Sequence, residues 1–158
     1  MIFLNASPVL AVLLNAEGAD ECETTLTRIE TGEIKATTTT HILEEIMFKL
    51  VFAKASEVLQ SKNVWRIRQK LKTNESLRQD CCEILNKFIK YVKILRFGGL
   101  KIIEVYGEDI FNVPEILKQT GLLTSDCLHL SVMSRLNLKK IATLDQDFKK
   151  VKGLTVIP

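Results

Sequence analysis

Lys140-Ile141-Ala142-Thr143-Leu144-Asp145-Gln146-Asp147-Phe148 is the stretch whose reading decides the fold. Lys140 to Leu144 is a strand candidate, and Asp145 follows at its carboxyl end. Upstream, Thr124-Ser125-Asp126 opens a helix predicted to run to about Leu136. Downstream, Leu154-Thr155-Val156-Ile157 reads as the closing strand. A helix feeding a short apolar strand is the unit from which parallel sheets are built.

The same alternation extends to the amino terminus. Ile2-Phe3-Leu4 is too short for a helix and suits a buried strand. Ser7 as N-cap and Pro8 at the first helical position predict a helix through Val9 to Leu14, ended by Gly18. A second helix is expected from Ala19 to Thr31, with Cys22, Leu26 and Ile29 on one face. Glu33 to Thr38 reads as a strand, and Thr40 as the cap of a helix carrying Ile42, Leu43, Ile46, Met47 and Leu50. From about Ala53 to Arg96 the apolar spacing stays helical, predicting two helices with Asn74 as the cap between them. Gly98-Gly99 breaks the pattern before a strand at Leu100 to Val105 and a helix at Asp109 to Thr120. The expected class is α/β, with a central, mainly parallel sheet of four to five strands flanked by helices.

Composition sets the outer limits. With 158 residues, the chain is expected to be one domain, 1–158, with a helical excursion at about 53–96. Hydrophobic residues at 46% and charged residues at 26% exclude disordered and low-complexity classes. Lys and Arg number 22 against 19 Asp and Glu, a net charge of +3 that tolerates a nucleic-acid partner without demanding one. Four cysteines without CxxC spacing exclude a zinc ribbon or a disulfide scaffold. The start lacks the basic region of a secretion signal, and no apolar run reaches the roughly 20 residues of a membrane span. A reduced, cytoplasmic chain with no membrane partner is expected.

The polar residues then fall in a pattern. In open parallel sheets, ligands sit beyond the carboxyl ends of the strands. Asn5 follows the first strand and Asp145 the strand ending at Leu144. Asp126 lies in the first turn of the helix before that strand, and Glu45 on the helix that follows the second strand. Each has a plainer explanation: a first-turn acid favouring a helix dipole, an Asx cap, a solvated helix face, an ordinary turn. Four positions converging on one edge favour a site.

These residues resemble the PIN-domain ribonucleases, the fold of VapC-type toxins. The likeness is strongest in Gly121-Leu122-Leu123-Thr124-Ser125-Asp126-Cys127-Leu128 and Ile141-Ala142-Thr143-Leu144-Asp145-Gln146-Asp147-Phe148, with Asp126 and Asp145 19 positions apart. Glu45, within Leu43-Glu44-Glu45-Ile46-Met47-Phe48-Lys49-Leu50, matches the family's middle acid better than Glu44, because apolar residues follow it at once and Leu50 lies five places on. At the start, Asn5-Ala6-Ser7 keeps the small polar residue and replaces the family's first Asp by Asn5.

The resemblance implies a three-layer PIN-like fold and hydrolysis of RNA phosphodiesters with Mg2+ or Mn2+. Glu45, Asp126 and Asp145 would be catalytic, and Asp126, Asp145, Asn5, Glu45 and Asp147 would surround the metal. Ser7 and Thr143 would be accessory, orienting carboxylates or waters. The implied partners are RNA, an antitoxin protein and a second copy in a homodimer. A different class stays open, a catalytically silent PIN-like module that binds RNA or protein, because Asn5 removes one acid. His41 and His129 are weaker candidates, and Trp65 among Lys62, Arg66, Arg68, Lys70 and Lys72 is either an RNA-stacking platform or an aromatic anchor of a basic helix.

Overall fold

The computed structural model describes residues 1–158. Five strands, β1 (Ile2–Leu4), β2 (Ala36–Thr39), β3 (Leu100–Ile103), β4 (Lys140–Ala142) and β5 (Thr155–Ile157), form one sheet in the order β3-β2-β1-β4-β5. Every pairing is parallel. The strands are short and central ones are buried on both faces, as parallel sheets require.

Eight helices cover it: α1 (Ala6–Leu13), α2 (Ala19–Glu30), α3 (Thr40–Leu59), α4 (Val64–Thr73), α5 (Glu75–Gly98), α6 (Gly107–Phe111), α7 (Val113–Thr120) and α8 (Thr124–Arg135). From β1 to β2 to β3 the chain steps in one direction, and from β3 it returns past β1 to β4. Right-handed crossovers therefore put α1, α2, α3 and α5 on one face and α6 to α8 on the other. The packing agrees, since α1 touches α2 and α3, α5 touches α2 and α3, and α8 touches α6 and α7. The result is a three-layer α/β fold.

The main core gathers Phe3, Leu4, Leu26, Ile29, Ile46, Phe88, Ile141 and Phe148 around the sheet. A second cluster of Ala55, Ile67, Leu77 and Cys81 fastens α4 to the far ends of α3 and α5. At Gly98 a Cβ would lie 2.1 Å from the Ile29 carbonyl oxygen, so only glycine lets α5 cross α2 there.

Several element boundaries differ from the sequence expectation, each for a local reason. Asn5, not Ser7, caps α1, so the helix starts at Ala6 and Pro8 lies in its first turn, where it has no helical acceptor to lose. The helix stops at Leu13, and Gly18 instead precedes α2 in a left-handed conformation. Strand β2 starts at Ala36 rather than Glu33, because Arg28 and Glu33 pair across a turn. Thr39, not Thr40, caps α3, accepting from the Ile42 N–H. That helix continues to Leu59, so the segment from Ala53 holds its last turns as well as α4 and α5. Asn74 caps α5 as expected, accepting from the Leu77 N–H. The helix expected at Asp109 to Thr120 is two helices, broken at Asn112 ahead of Pro114. Strands β3 and β4 end at Ile103 and Ala142, earlier than Val105 and Leu144.

Candidate active site

The strand order reverses between β1 and β4, which opens a crevice beyond their carboxyl ends. Asn5 and Thr143 meet there. The Asn5 Oδ1 accepts from the Ala6 N–H at 2.8 Å, and its Nδ2 donates to Thr143 Oγ1 at 3.1 Å. Thr143 Oγ1 also accepts from the Asp145 N–H at 3.1 Å. A hydroxyl oxygen has two lone pairs, so with both engaged the Thr143 proton points to Ser7 Oγ, 3.1 Å away. Ser7 Oγ in turn accepts from the Leu144 N–H at 3.0 Å. The amide of Asn5 thus sets the direction of the network tying β1 to the turn that carries Asp145. A carboxylate at that position would accept from Thr143 and reverse it.

The acids stand around this crevice. Asp126 is half-buried in the first turn of α8, where the helix dipole alone would favour its charge. Its carboxyl is nonetheless pushed up to about 6, first by burial and then by the charges of Asp145, Glu45 and Asp147. Burial and the neighbouring acids therefore outweigh the dipole at Asp126. Glu45, not Glu44, is the middle acid whose charge acts on it. Neither Asp126 nor Asp145 has a cationic partner.

The other carboxylates are partly committed. Asp145 Oδ1 accepts from the Asp147 N–H at 2.9 Å and caps a 3-10 turn at Gln146–Lys150, the Asx role that its sequence also allowed. Asp147 is exposed and paired with Lys150 at 2.5 Å. Glu45 Oε1 is held by Lys49 at 2.5 Å, and Glu45 Oε2 lies 4.0 Å from the His129 Nε2. Sequence reasoning missed Lys49, although its i,i+4 spacing from Glu45 was readable. His129 is a core residue, as its weak candidacy as a ligand allowed, buried with its Nδ1 unpartnered. Burial lowers the His129 imidazole to about 4, so it is neutral at pH 7. Beside the acids runs a groove of about 640 Å³ lined by His41, Glu45, Phe48, Ile110, Val113 and Leu128.

The donor set is all oxygen, four carboxylates and an amide, which suits a hard divalent cation. As the side chains stand, no three Asp, Glu, His or Cys residues are gathered closely enough to grip an ion. Mg2+ needs only one or two direct carboxylates, its remaining ligands being water, so an open, acid-crowded crevice fits it without a closed cage.

The fold agrees with comparison to known proteins. The PIN domain family matches residues 2–154, and the chain belongs to that family. It is 29% identical over 116 residues to ribonuclease VapC6 of Methanocaldococcus jannaschii, spanning 73% of this chain and 71% of that protein. The crystal structure of VapC20 from Mycobacterium tuberculosis, a sarcin-ricin loop cleaving toxin, superposes over the whole of both chains with a TM-score of 0.63 at 13% identity. VapBC2 from Rickettsia felis, solved with a DNA fragment from its promoter, matches 99% of this chain and 97% of its own with a TM-score of 0.55 at 17% identity. No helix is long and apolar enough to cross a membrane.

Proposed function

We propose that this chain, taken as one PIN unit over 1–158, is a cytoplasmic, divalent-metal-dependent endoribonuclease of the VapC kind. The observation that carries it is Asp126, a half-buried carboxyl raised to about 6 among Asp145, Glu45 and Asp147, in no salt bridge and only weakly offset by Lys49. Crowded carboxylates of this sort are relieved by a metal ion. Asp126 and Asp145, free of salt bridges, would hold Mg2+ or Mn2+ directly. Glu45, Asp147 and the Asn5 amide oxygen would reach it through water. When bound, the ion would supply a low-pKa water and offset charge on the phosphoryl oxygens. Asn5, Ser7 and Thr143 hold the Asp145 turn against β1, so that Asp145 is fixed before substrate arrives.

The test is cleavage of a labelled RNA with Mn2+ present. Activity in the wild-type chain that Asp126→Asn abolishes supports the assignment. Activity unimpaired by Asp126→Asn ends it. One observation favours the silent-module reading, the neutral Asn5 amide built into the hydrogen-bond network. Cleavage appearing only in Asn5→Asp would assign the chain to that class. The VapC likeness also brings an antitoxin partner and a homodimer into the proposal. Light scattering of the purified chain and of the chain co-expressed with its neighbouring gene product tests both.

A further inference from the structure

The helix α4 has no part in the crevice, and its two faces differ sharply. Ile67 is fully buried and Leu71 partly so, both packed with Ala55, Leu77 and Cys81. Everything else on the helix is exposed: Val64, Trp65, Arg66, Arg68, Gln69, Lys70, Lys72 and Thr73. Trp65 is 70% exposed, so it is not the anchor of the helix. Arg68 lies over its ring at 5.4 Å, and Lys72 falls on the same face at i+7. None of the four cations Arg66, Arg68, Lys70 and Lys72 has an acidic partner. The C-terminal carbonyls of α4 are also settled, since Arg78 donates to the Leu71 and Lys72 oxygens at 3.1 and 3.2 Å.

The charge count gives this face a meaning. Four of the 22 basic residues and none of the 19 acidic ones lie on α4, leaving 18 against 19 in the rest of the chain. Without α4 the chain is net negative and carries an acid-crowded crevice, which repels a polyanion. The helix α4 is therefore a concentrated patch of attraction for a phosphate backbone, alongside the exposed Lys87, Lys90, Lys93 and Arg96 of α5, which have no aromatic ring stacked beside them. An exposed indole beside a guanidinium adds a surface on which an unpaired base can stack.

We infer that α4 is a docking arm for single-stranded RNA, holding backbone phosphates with Arg66, Arg68, Lys70 and Lys72 and one base against Trp65. Duplex RNA keeps its bases stacked and offers nothing to Trp65. A membrane surface needs a free apolar face, and α4 has already spent Ile67 and Leu71 on the protein core. The name RNA rests on the function proposed above. The juxtaposition of Trp65 with unpaired cations does not. From Glu45 to the end of α3 the helix runs about 21 Å, so the arm engages RNA remote from the crevice.

Trp65 is the only tryptophan, so its fluorescence reports on this face directly. The whole chain is titrated in EDTA, without cleavage, with a single-stranded oligouridylate. Separate arms use the same RNA annealed to its complement, phosphatidylserine vesicles and polyglutamate. Quenching by the single strand is expected, with affinity falling about 50-fold between about 50 and 200 mM salt, the slope for four contacts on a single strand. In anisotropy with labelled RNA, Trp65→Ala is expected to bind about tenfold more weakly, and Trp65→Phe to recover most of the loss. Joint replacement of the four cations by Gln is expected to flatten the salt dependence, with circular dichroism unchanged. Absence of quenching, unaltered affinity in both variants, or an equal response to vesicles, polyglutamate or duplex overturns the inference. Binding at α4 without Mn2+-dependent cleavage would remove the nuclease reading and keep the arm. Cleavage of long RNA at unchanged KM by the four-Gln variant would keep the nuclease and remove the arm.

Discussion

Asp126→Asn is expected to stabilise the metal-free chain at neutral pH and to do little at acid pH. Burial, then Asp145, Glu45 and Asp147, raise the Asp126 carboxyl from 3.8 to about 6, against the weaker opposing pull of Lys49. At about 1.36 kcal/mol per pH unit, that displacement has an upper bound of about 3 kcal/mol, which solvent screening of a half-buried group reduces to about 1–2 kcal/mol. The folded chain binds this proton more tightly than the unfolded one. The stability contributed is therefore complete below 3.8 and lost as pH rises through about 6. At about pH 7.5 the folded state carries the whole penalty, and a neutral amide removes it.

In a chain of this length each kcal/mol is worth about 2–4 °C, so Asp126→Asn should raise Tm by about 2–8 °C at neutral pH. Calorimetry in EDTA at about pH 3.5 and 7.5 measures it, with the gain confined to the higher pH. Mn2+ should raise the wild-type Tm at neutral pH and raise that of Asp126→Asn much less, because the ion and the substitution relieve the same charge. An Asn variant that is less stable at about pH 7.5, or that gains equally at both pH values, would refute the crowding argument.

Three further outcomes are expected. His129 sits at about 4 when folded against 6.5, so its contribution is complete above 6.5 and about 3 kcal/mol is lost as pH falls toward 4. In the wild type this opposes the Asp126 gain over the same range, so Asp126→Asn should lose stability in acid more steeply and His129→Leu less steeply, as read by urea unfolding across pH. Asn5→Ala removes both the α1 cap and the donor to Thr143, and should cost about 1–3 kcal/mol in the same assay; an unchanged midpoint would show the network to be idle. Gly98→Ala should cost about 3 kcal/mol, the upper end for overpacking, because the obstructing atoms are the backbone of Ile29 and Glu30 and cannot swing aside.

Much of this was written locally. The five strands and the order of most helices follow from apolar runs and Gly or Asn stops, because those signals depend only on neighbours in the sequence. The T-x-D-x-D-F stretch placed Asp145 at a strand end for the same reason. What escaped was set by choices between adjacent residues of similar chemistry. Asn5 and Ser7 are both good caps, and the contest was decided by Thr143 and Leu144, 136 to 138 positions away, which engage Ser7 from across the sheet. Thr39 and Thr40 differ only in which one the strand leaves extended. Lys49 and His129 are invisible as a pair in sequence, since Glu45 joins them only after α3 and α8 meet.

That long-range selection bears on Asn5 itself. Its amide is not a blank left where an acid belongs. Oδ1 does the capping that a carboxylate would do, while Nδ2 supplies a donor that a carboxylate lacks, and Thr143 turns its proton toward Ser7 in consequence. Exchange for Asp would add a negative charge to the crevice whose acids already hold Asp126 near 6, and would reverse every hydroxyl in the chain from Thr143 to Ser7. The cost without metal and the gain with it come from the same charge. Asn5→Asp is therefore expected to be less stable than wild type in EDTA and to gain more from Mn2+, and a variant that gains no more than wild type would mean that position 5 does not face the ion.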